Sequence, residues 1–214
     1  GKEVAVSGSI GIATSYDQSA SDELLRNADV AMYTAKARGN GHYAVFEPMM
    51  HVHAVERIEL ESDLRRALAN HEFVVHYQPI VHLKTGRVEG VEALVRWQHP
   101  RRGLLLPHQF IPIAEDTGLI VPLGRWVLRQ ACRQMAEWHA EHFHTHPLFV
   151  SVNLSARQFQ EASLADDVAQ ALQDAGLEPR WLMLELTESA VLRDHETVSR
   201  TLRKLSELGV RLAI

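Results

Sequence analysis

Val91-Glu92-Ala93-Leu94-Val95-Arg96-Trp97 is the stretch on which the reading of this chain turns. In a strand, side chains alternate between faces, so Glu92, Leu94 and Arg96 point one way and Val91, Ala93 and Val95 the other. A carboxylate and a guanidinium on one face of an otherwise apolar strand are costly to bury without partners. Taken alone, the stretch reads as holding an internal salt bridge. Two later stretches share its oddity. In Leu148-Phe149-Val150-Ser151-Val152-Asn153-Leu154, Ser151 and Asn153 lie opposite Val150, Val152 and Leu154. In the run from Trp181 to Glu188, Met183, Glu185 and Thr187 lie opposite Leu182, Leu184 and Leu186. Glu92, Asn153 and Glu185 thus put one hard oxygen ligand on one side of each of three strands. Together they point to an oxygen-lined divalent cation site.

Around these strands, sheet and helix alternate. Phe73–Leu83 reads as a strand turning at Lys84-Thr85-Gly86 into Arg87–Trp97, an antiparallel hairpin. The loop from His99 to Gly103 leads to a helix near Pro107 that stops by Gly118, and a longer helix runs from about Leu123 to Trp138. Strand Leu148–Leu154, helix Ser163–Ala175, strand Trp181–Thr187, helix Asp194–Leu208 and strand Val210–Ile214 follow. Ser163 and Asp194 are the expected N-caps, and Gly176 and Gly209 stand where a glycine ends a helix. Strands separated by such helices make βαβ units and a parallel sheet. The expected fold class is α/β. An eight-stranded barrel takes about 250 residues, so these strands form part of one, with functional groups at the strands' C-terminal ends.

Upstream, Val4–Ala13 reads as a strand interrupted by Gly8 and Gly11. A helix from about Ser21, with Leu25, Ala28, Ala31, Met32 and Ala35 as its apolar face, is stopped by Gly39, and His42–Phe46 reads as a further strand. So short a segment does not bury a core by itself, and an upstream portion is expected to complete it. A helix from about Pro48 to Asn70 joins the two regions, with Val52, Val55, Leu60, Leu64 and Leu68 near one stripe. Glu56, Arg57, Glu59, Glu61, Asp63, Arg65 and Arg66 are its expected wet side. It reads as a spacer, with transmission of movement or pairing with a copy of itself as alternatives.

The 46% hydrophobic and 23% charged fractions are those of an ordinary soluble domain. No apolar run approaches the roughly 18 residues of a membrane span, and no signal-peptide pattern opens the chain, so no membrane contact from this segment and a cytoplasmic location are expected, with a parent anchored to a membrane through a missing N-terminal region as the alternative. A formal charge of −5 provides no general polyanion surface and argues against DNA or RNA as a partner. The lone Cys132 rules out an internal disulfide and reads as core packing on a helix face. Gly1 is not an initiator methionine and Ile214 ends inside an apolar run, so the chain is expected to be a piece of a longer protein.

Two resemblances carry the functional expectation. Ser9-Ile10-Gly11, the run from Ala28 to Lys36 (Ala-Asp-x-Ala-Met-Tyr-x-Ala-Lys) and Gly39 resemble the C-terminal third of a GGDEF, or diguanylate cyclase, domain. The Gly-Gly-Asp/Glu-Glu-Phe signature is absent, so no cyclase activity is assigned. From Leu64 onward the chain resembles the N-terminal half of an EAL domain, the cyclic di-GMP phosphodiesterase family. The resemblance rests on Tyr77-Gln78-Pro79-Ile80, Glu92 to Trp97, Pro107 with Phe110 to Glu115, Val152 to Ser155 with Gln158, and Glu185 to Ser189. It implies residues 1–47 as GGDEF, 48–63 as linker and 64–214 as EAL, the last a truncated TIM-like (β/α)8 barrel preceded by an α+β fragment.

By resemblance, Glu92, Asn153 and Glu185 match the family's metal ligands, and Glu92 counts among the catalytic groups. Arg96 matches the arginine that pairs with a substrate phosphate, and Gln78 a residue lining the substrate cleft. Glu188 matches a glutamate anchoring the loop after the next strand. Oxygen ligands favour Mg²⁺ or Mn²⁺ over zinc, and two such ions would activate water for in-line attack on phosphorus. The implied reaction converts cyclic di-GMP to pGpG. The alternative is a degenerate EAL domain that binds cyclic di-GMP without cleaving it. The family's next motif, Asp-Asp-Phe-Gly-Thr-Gly, would begin just after Ile214, so the chain alone is expected to be inactive. A homodimer through the EAL region or the linker helix is the further partner considered. His142, His144 and His146 read as a solvated loop, not a zinc site.

Overall fold

The computed structural model describes residues 7–15, 21–37, 41–141, 147–186 and 195–213. The chain divides into two compact units, Gly1–Ser62 and Asp63–Ile214.

In the first unit, β1 (Ile10–Ile12) and β2 (Tyr43–Val45) pair in parallel, with α1 (Ser21–Ala37) between them in sequence. Gly11 lets the helix lie directly on β1: a Cβ there would sit 1.9 Å from the Ala28 carbonyl oxygen and 2.2 Å from the Met32 nitrogen. Ala31, Ala35 and Ala44 form the small core, with Phe46 and Met50 packed against it. The expected apolar face of α1 is buried only in part. Leu25 is 66% and Met32 38% exposed, so the two three-residue strands among the described residues do not cover the whole stripe. Helix α2 (Met49–Ala67) follows, with Val52 and Val55 exposed and Leu60, Leu64 and Ala67 buried.

In the second unit, β3 (Phe73–Val81) and β4 (Val88–His99) form the expected antiparallel hairpin. β4 turns again through Pro100–Arg102 into β5 (Gly103–Leu105), a strand the sequence reading had placed in a loop and helix entry. Next come α3 (Pro107–Thr117), α4 (Ile120–Glu141) and β6 (Phe149–Leu154). The short α5 (Ala156–Phe159) and α6 (Leu164–Ala175) lead through a 3₁₀ turn at Pro179–Trp181 to β7 (Leu182–Leu186), α7 (His195–Leu208) and β8 (Arg211–Ala213). The sheet order is β3-β4-β6-β7-β8, with β5 paired to β4, and every pair from β4 to β8 along that path is parallel. This is the α/β arrangement expected of a barrel segment.

One face of the sheet packs under helices. Val91, Ala93, Trp97, Val150, Val152, Leu154, Leu182, Leu184 and Leu186 are all buried, as are Leu123, Val127, Ala131, Cys132 and Met135 of α4. Phe73, Trp97 and Phe110 stack with centroids 5.7–5.8 Å apart, and the Trp97 indole N–H donates to Glu72 Oε2 at 2.9 Å. Two local expectations change. Ser163 stands before α6, but its hydroxyl donates to Asp167 Oδ2 at 3.2 Å and accepts from Arg125 at 2.8 Å in place of capping the helix. Asp63, placed on the wet side of α2, is buried. Its carboxylate accepts from His99 Nε2 at 3.0 Å and Arg101 Nη2 at 2.8 Å, and also pairs with Arg66. His99 Nδ1 accepts the backbone N–H groups of Arg101 and Arg102, which fixes Nε2 as the protonated nitrogen. Burial pushes the Asp63 carboxyl up, but hydrogen bonds from Arg101 and His99 outweigh it and hold it below the usual carboxylate range.

Candidate functional site

The opposite face of the sheet carries the polar side chains. Cα partners in adjacent strands present their side chains to the same face. The register therefore sets Gln78 beside Glu92, Glu92 beside Ser151, Ser151 beside Met183, and Met183 beside Arg211, a row across five strands. Two residues further along, Asn153 pairs with Glu185. The three predicted oxygen ligands thus occupy neighbouring strands and adjacent rows.

Hydrogen bonds join them in pairs. The Asn153 amide N–H donates to Glu92 Oε1 at 2.7 Å. The Ser151 hydroxyl donates to Glu185 Oε1 at 2.5 Å. Glu92 and Glu185 are half-buried, Asn153 is exposed and Ser151 is fully buried. Both carboxylates are therefore held at one oxygen while lying at an accessible surface. Among the described residues, no three His, Cys, Asp or Glu side chains cluster, so the set is two carboxylates and an amide. Hard oxygen donors of this kind suit Mg²⁺ or Mn²⁺.

Arg96 lies four residues beyond Glu92 on the same face, about 13 Å along the strand, and does not form with it the internal salt bridge that the stretch alone suggested. Its Nη1–H donates to the Val95 carbonyl at 2.9 Å, and the side chain is half-buried. Gln78 is exposed on β3. At the other end of the strands, the Phe149 ring lies over Gly90. A Cβ on Gly90 would meet the ring at 2.6 Å, and the Arg211 guanidinium lies 5.2 Å from the ring centroid. Glu188 and His142, His144 and His146 lie outside the described residues.

Several motif residues serve the scaffold. Ser155 and Gln158 form a reciprocal capping box: the Ser155 backbone N–H donates to Gln158 Oε1, and the Gln158 N–H to Ser155 Oγ, each at 3.2 Å. That box opens α5 directly after the strand bearing Asn153. Gln158 is buried against Gly124, where a Cβ would sit 1.9 Å from its amide nitrogen. Arg157 Nη1 donates to the Glu115 carbonyl at 2.5 Å, at the C-terminal end of α3. Burial, with Asp116 beside it, raises the Glu115 carboxyl above its usual range. Sequence reasoning missed the tie to Glu185, though it had set Ser151 on the same face as Asn153.

The chain is similar to known proteins. The family model described as EAL domain matches residues 61–214. MucR of Pseudomonas aeruginosa, named a bifunctional diguanylate cyclase/cyclic di-GMP phosphodiesterase, is 48% identical over 217 residues, covering 99% of this chain and 31% of that protein. PdeR of Escherichia coli, named a cyclic di-GMP phosphodiesterase, is 43% identical over 211 residues, covering 98% and 31%. The chain thus spans less than a third of the length of these curated relatives. The solved PaMucR phosphodiesterase, in c-di-GMP complex, superposes with a TM-score of 0.69 at 48% identity, over 73% of this chain and 62% of that one.

Proposed function

The chain belongs to the EAL domain family, and from that premise we propose that the protein carrying it hydrolyses cyclic di-GMP to linear pGpG. The observation that carries this reading is the single sheet face on which Glu92, Asn153 and Glu185 stand in adjacent rows, with Arg96 beyond them. Similarity to named phosphodiesterases and to a solved cyclic di-GMP complex supports it.

Glu92, Asn153 and Glu185 would hold Mg²⁺ or Mn²⁺. When bound, such ions supply Lewis acidity to the phosphodiester and its attacking water. The residues themselves do the positioning. Ligation by Asn153 uses its amide oxygen, while its N–H already donates to Glu92 and holds that carboxylate in place. Arg96 binds a substrate phosphate through its planar fork, which matches two phosphate oxygens at once. Gln78, exposed beside Glu92, lines the substrate cleft. Glu188, which lies outside the described residues, is given the loop-anchoring role that the family resemblance implies.

The same reading takes residues 1–47 as the C-terminal part of a GGDEF domain, 48–63 as a helical linker and 64–214 as EAL. Alignment of 99% of the chain with a bifunctional cyclase/phosphodiesterase supports that order. A cytoplasmic location and a homodimer through the EAL region or linker belong to the reading too. Among the described residues, no helix is long and apolar enough to cross a membrane. The test is to incubate the full-length protein with cyclic di-GMP and Mn²⁺ and separate products by chromatography. Appearance of pGpG is expected. Tight binding of unchanged nucleotide with no product would replace the enzyme by a binding module.

A further inference from the structure

We infer that Ser151 is a positioning residue for the divalent cation, acting through Glu185. The inference rests on the proposed metal reading and deepens it. Ser151 is completely buried in the middle of β6, on the site face, beside Glu92 on one strand and Met183 on the other. Its hydroxyl reaches diagonally across to Glu185 and donates to Oε1 of the carboxylate.

That bond has a geometric consequence. A glutamate has three side-chain torsions, and Glu185 is only half-buried, so its carboxylate would otherwise sample several positions. Ser151 fixes one oxygen and leaves the other to face a cation. The Asn153 amide does the same for Glu92 Oε1. Each carboxylate is thus held by a donor on β6, between their two strands. Groups that orient metal-binding carboxylates in this way typically contribute about 10- to 100-fold in metal affinity.

The experiment compares full-length wild type with Ser151→Ala, Ser151→Thr and Glu185→Ala. Mn²⁺ binding is titrated by calorimetry without nucleotide, and turnover is measured across Mn²⁺ concentrations. Ser151→Ala is expected to weaken Mn²⁺ binding about tenfold and to raise the Mn²⁺ concentration for half-maximal turnover equally. At saturating Mn²⁺ its kcat should stay within about threefold of wild type, because the ligands themselves remain. Ser151→Thr, which keeps the hydroxyl, should restore affinity. Thermal unfolding without metal checks that each variant folds, and Ala for Ser leaves only a small void if the fold is kept. Wild-type Mn²⁺ affinity in folded Ser151→Ala, alongside lost affinity in Glu185→Ala, would overturn the role of Ser151 alone. Unchanged affinity in Glu185→Ala would overturn the metal reading itself, and Ser151 with it.

Discussion

Leu182, Leu184 and Leu186 leave at most 4% of their surface exposed, while Met183 and Glu185, one residue away on the same strand, are only half-buried. β4 and β6 follow the same division except at Val95, half-buried on the apolar face, and Ser151, fully buried on the other. One face of the sheet is a dense apolar layer under helices, and the other holds carboxylates, an amide and a guanidinium at an accessible surface. The two faces differ in what fixes them. The apolar face is held by area removed from water, which is non-directional. The polar face is held by directed bonds, Asn153 to Glu92 and Ser151 to Glu185, which set orientation more than stability. A rigid strand supplies both at once, since its period of two puts a stability residue next to every site residue.

By that division, single substitutions should separate activity from stability. The largest effect expected is on the polar face: Glu92→Ala should abolish turnover of cyclic di-GMP at saturating Mn²⁺, read by chromatography of pGpG. Its urea midpoint should correspond to a change of no more than about 1 kcal/mol, the scale of one hydrogen bond. Near wild-type hydrolysis would remove Glu92 from the site. The mirror-image change is Leu184→Ala, fully buried on the other face, which should destabilise by about 2–5 kcal/mol in urea unfolding. Below its unfolding transition it should still cleave substrate, and a folded but inactive Leu184→Ala would show that the faces are not independent.

Arg96→Ala sharpens the comparison within the polar face. Loss of a charged hydrogen-bond donor to phosphate should weaken cyclic di-GMP binding by about 1.5–3 kcal/mol, measured by calorimetry with Ca²⁺ to suppress turnover. Mn²⁺ affinity should not change, since Arg96 is about 13 Å along the strand from Glu92.

A smaller effect concerns the buried charge cluster at Asp63. Because its carboxyl is held below the ordinary value of 3.8, the folded state binds this proton less readily than the unfolded chain. Its stabilisation is complete above the unfolded value and is lost as pH falls from there through the folded value. Asp63→Asn should therefore flatten the loss of stability between neutral and acid pH, read from urea midpoints, and an equally steep loss would assign the acid response elsewhere. The smallest signal is chemical. Burial pushes the Cys132 thiol up to about 12, so thiol reagents at pH 8 should label it only after denaturation. Rapid labelling of the native chain would show that the layer under the helices opens.

Much of the sheet was legible because strand alternation is a local property. The two-residue period in Val91–Trp97 and Trp181–Leu186 placed Glu92 and Glu185 on faces opposite their buried neighbours, and glycines marked helix ends at Gly118 and Gly176. Short elements escaped. β5 has three residues, too few to show a period, and α5 was announced only by the Ser155 and Gln158 spacing. Asp63 escaped because helical position alone does not reveal which partners arrive from elsewhere in the chain. Its partners His99 and Arg101 are 36 and 38 residues away.

The amino-acid order by itself determined which side chains share a face of each strand, because backbone geometry sets that within a few residues. It also supplied the motifs that mark the EAL family. Tertiary structure alone decided which strands became neighbours, and in what register. Pairing β4 with β6 and β6 with β7 brings Asn153 to Glu92 and Ser151 to Glu185 across 61 and 34 residues of sequence. Hydrogen bonds act over about 3 Å, so only strands already packed side by side could make those donors and acceptors meet.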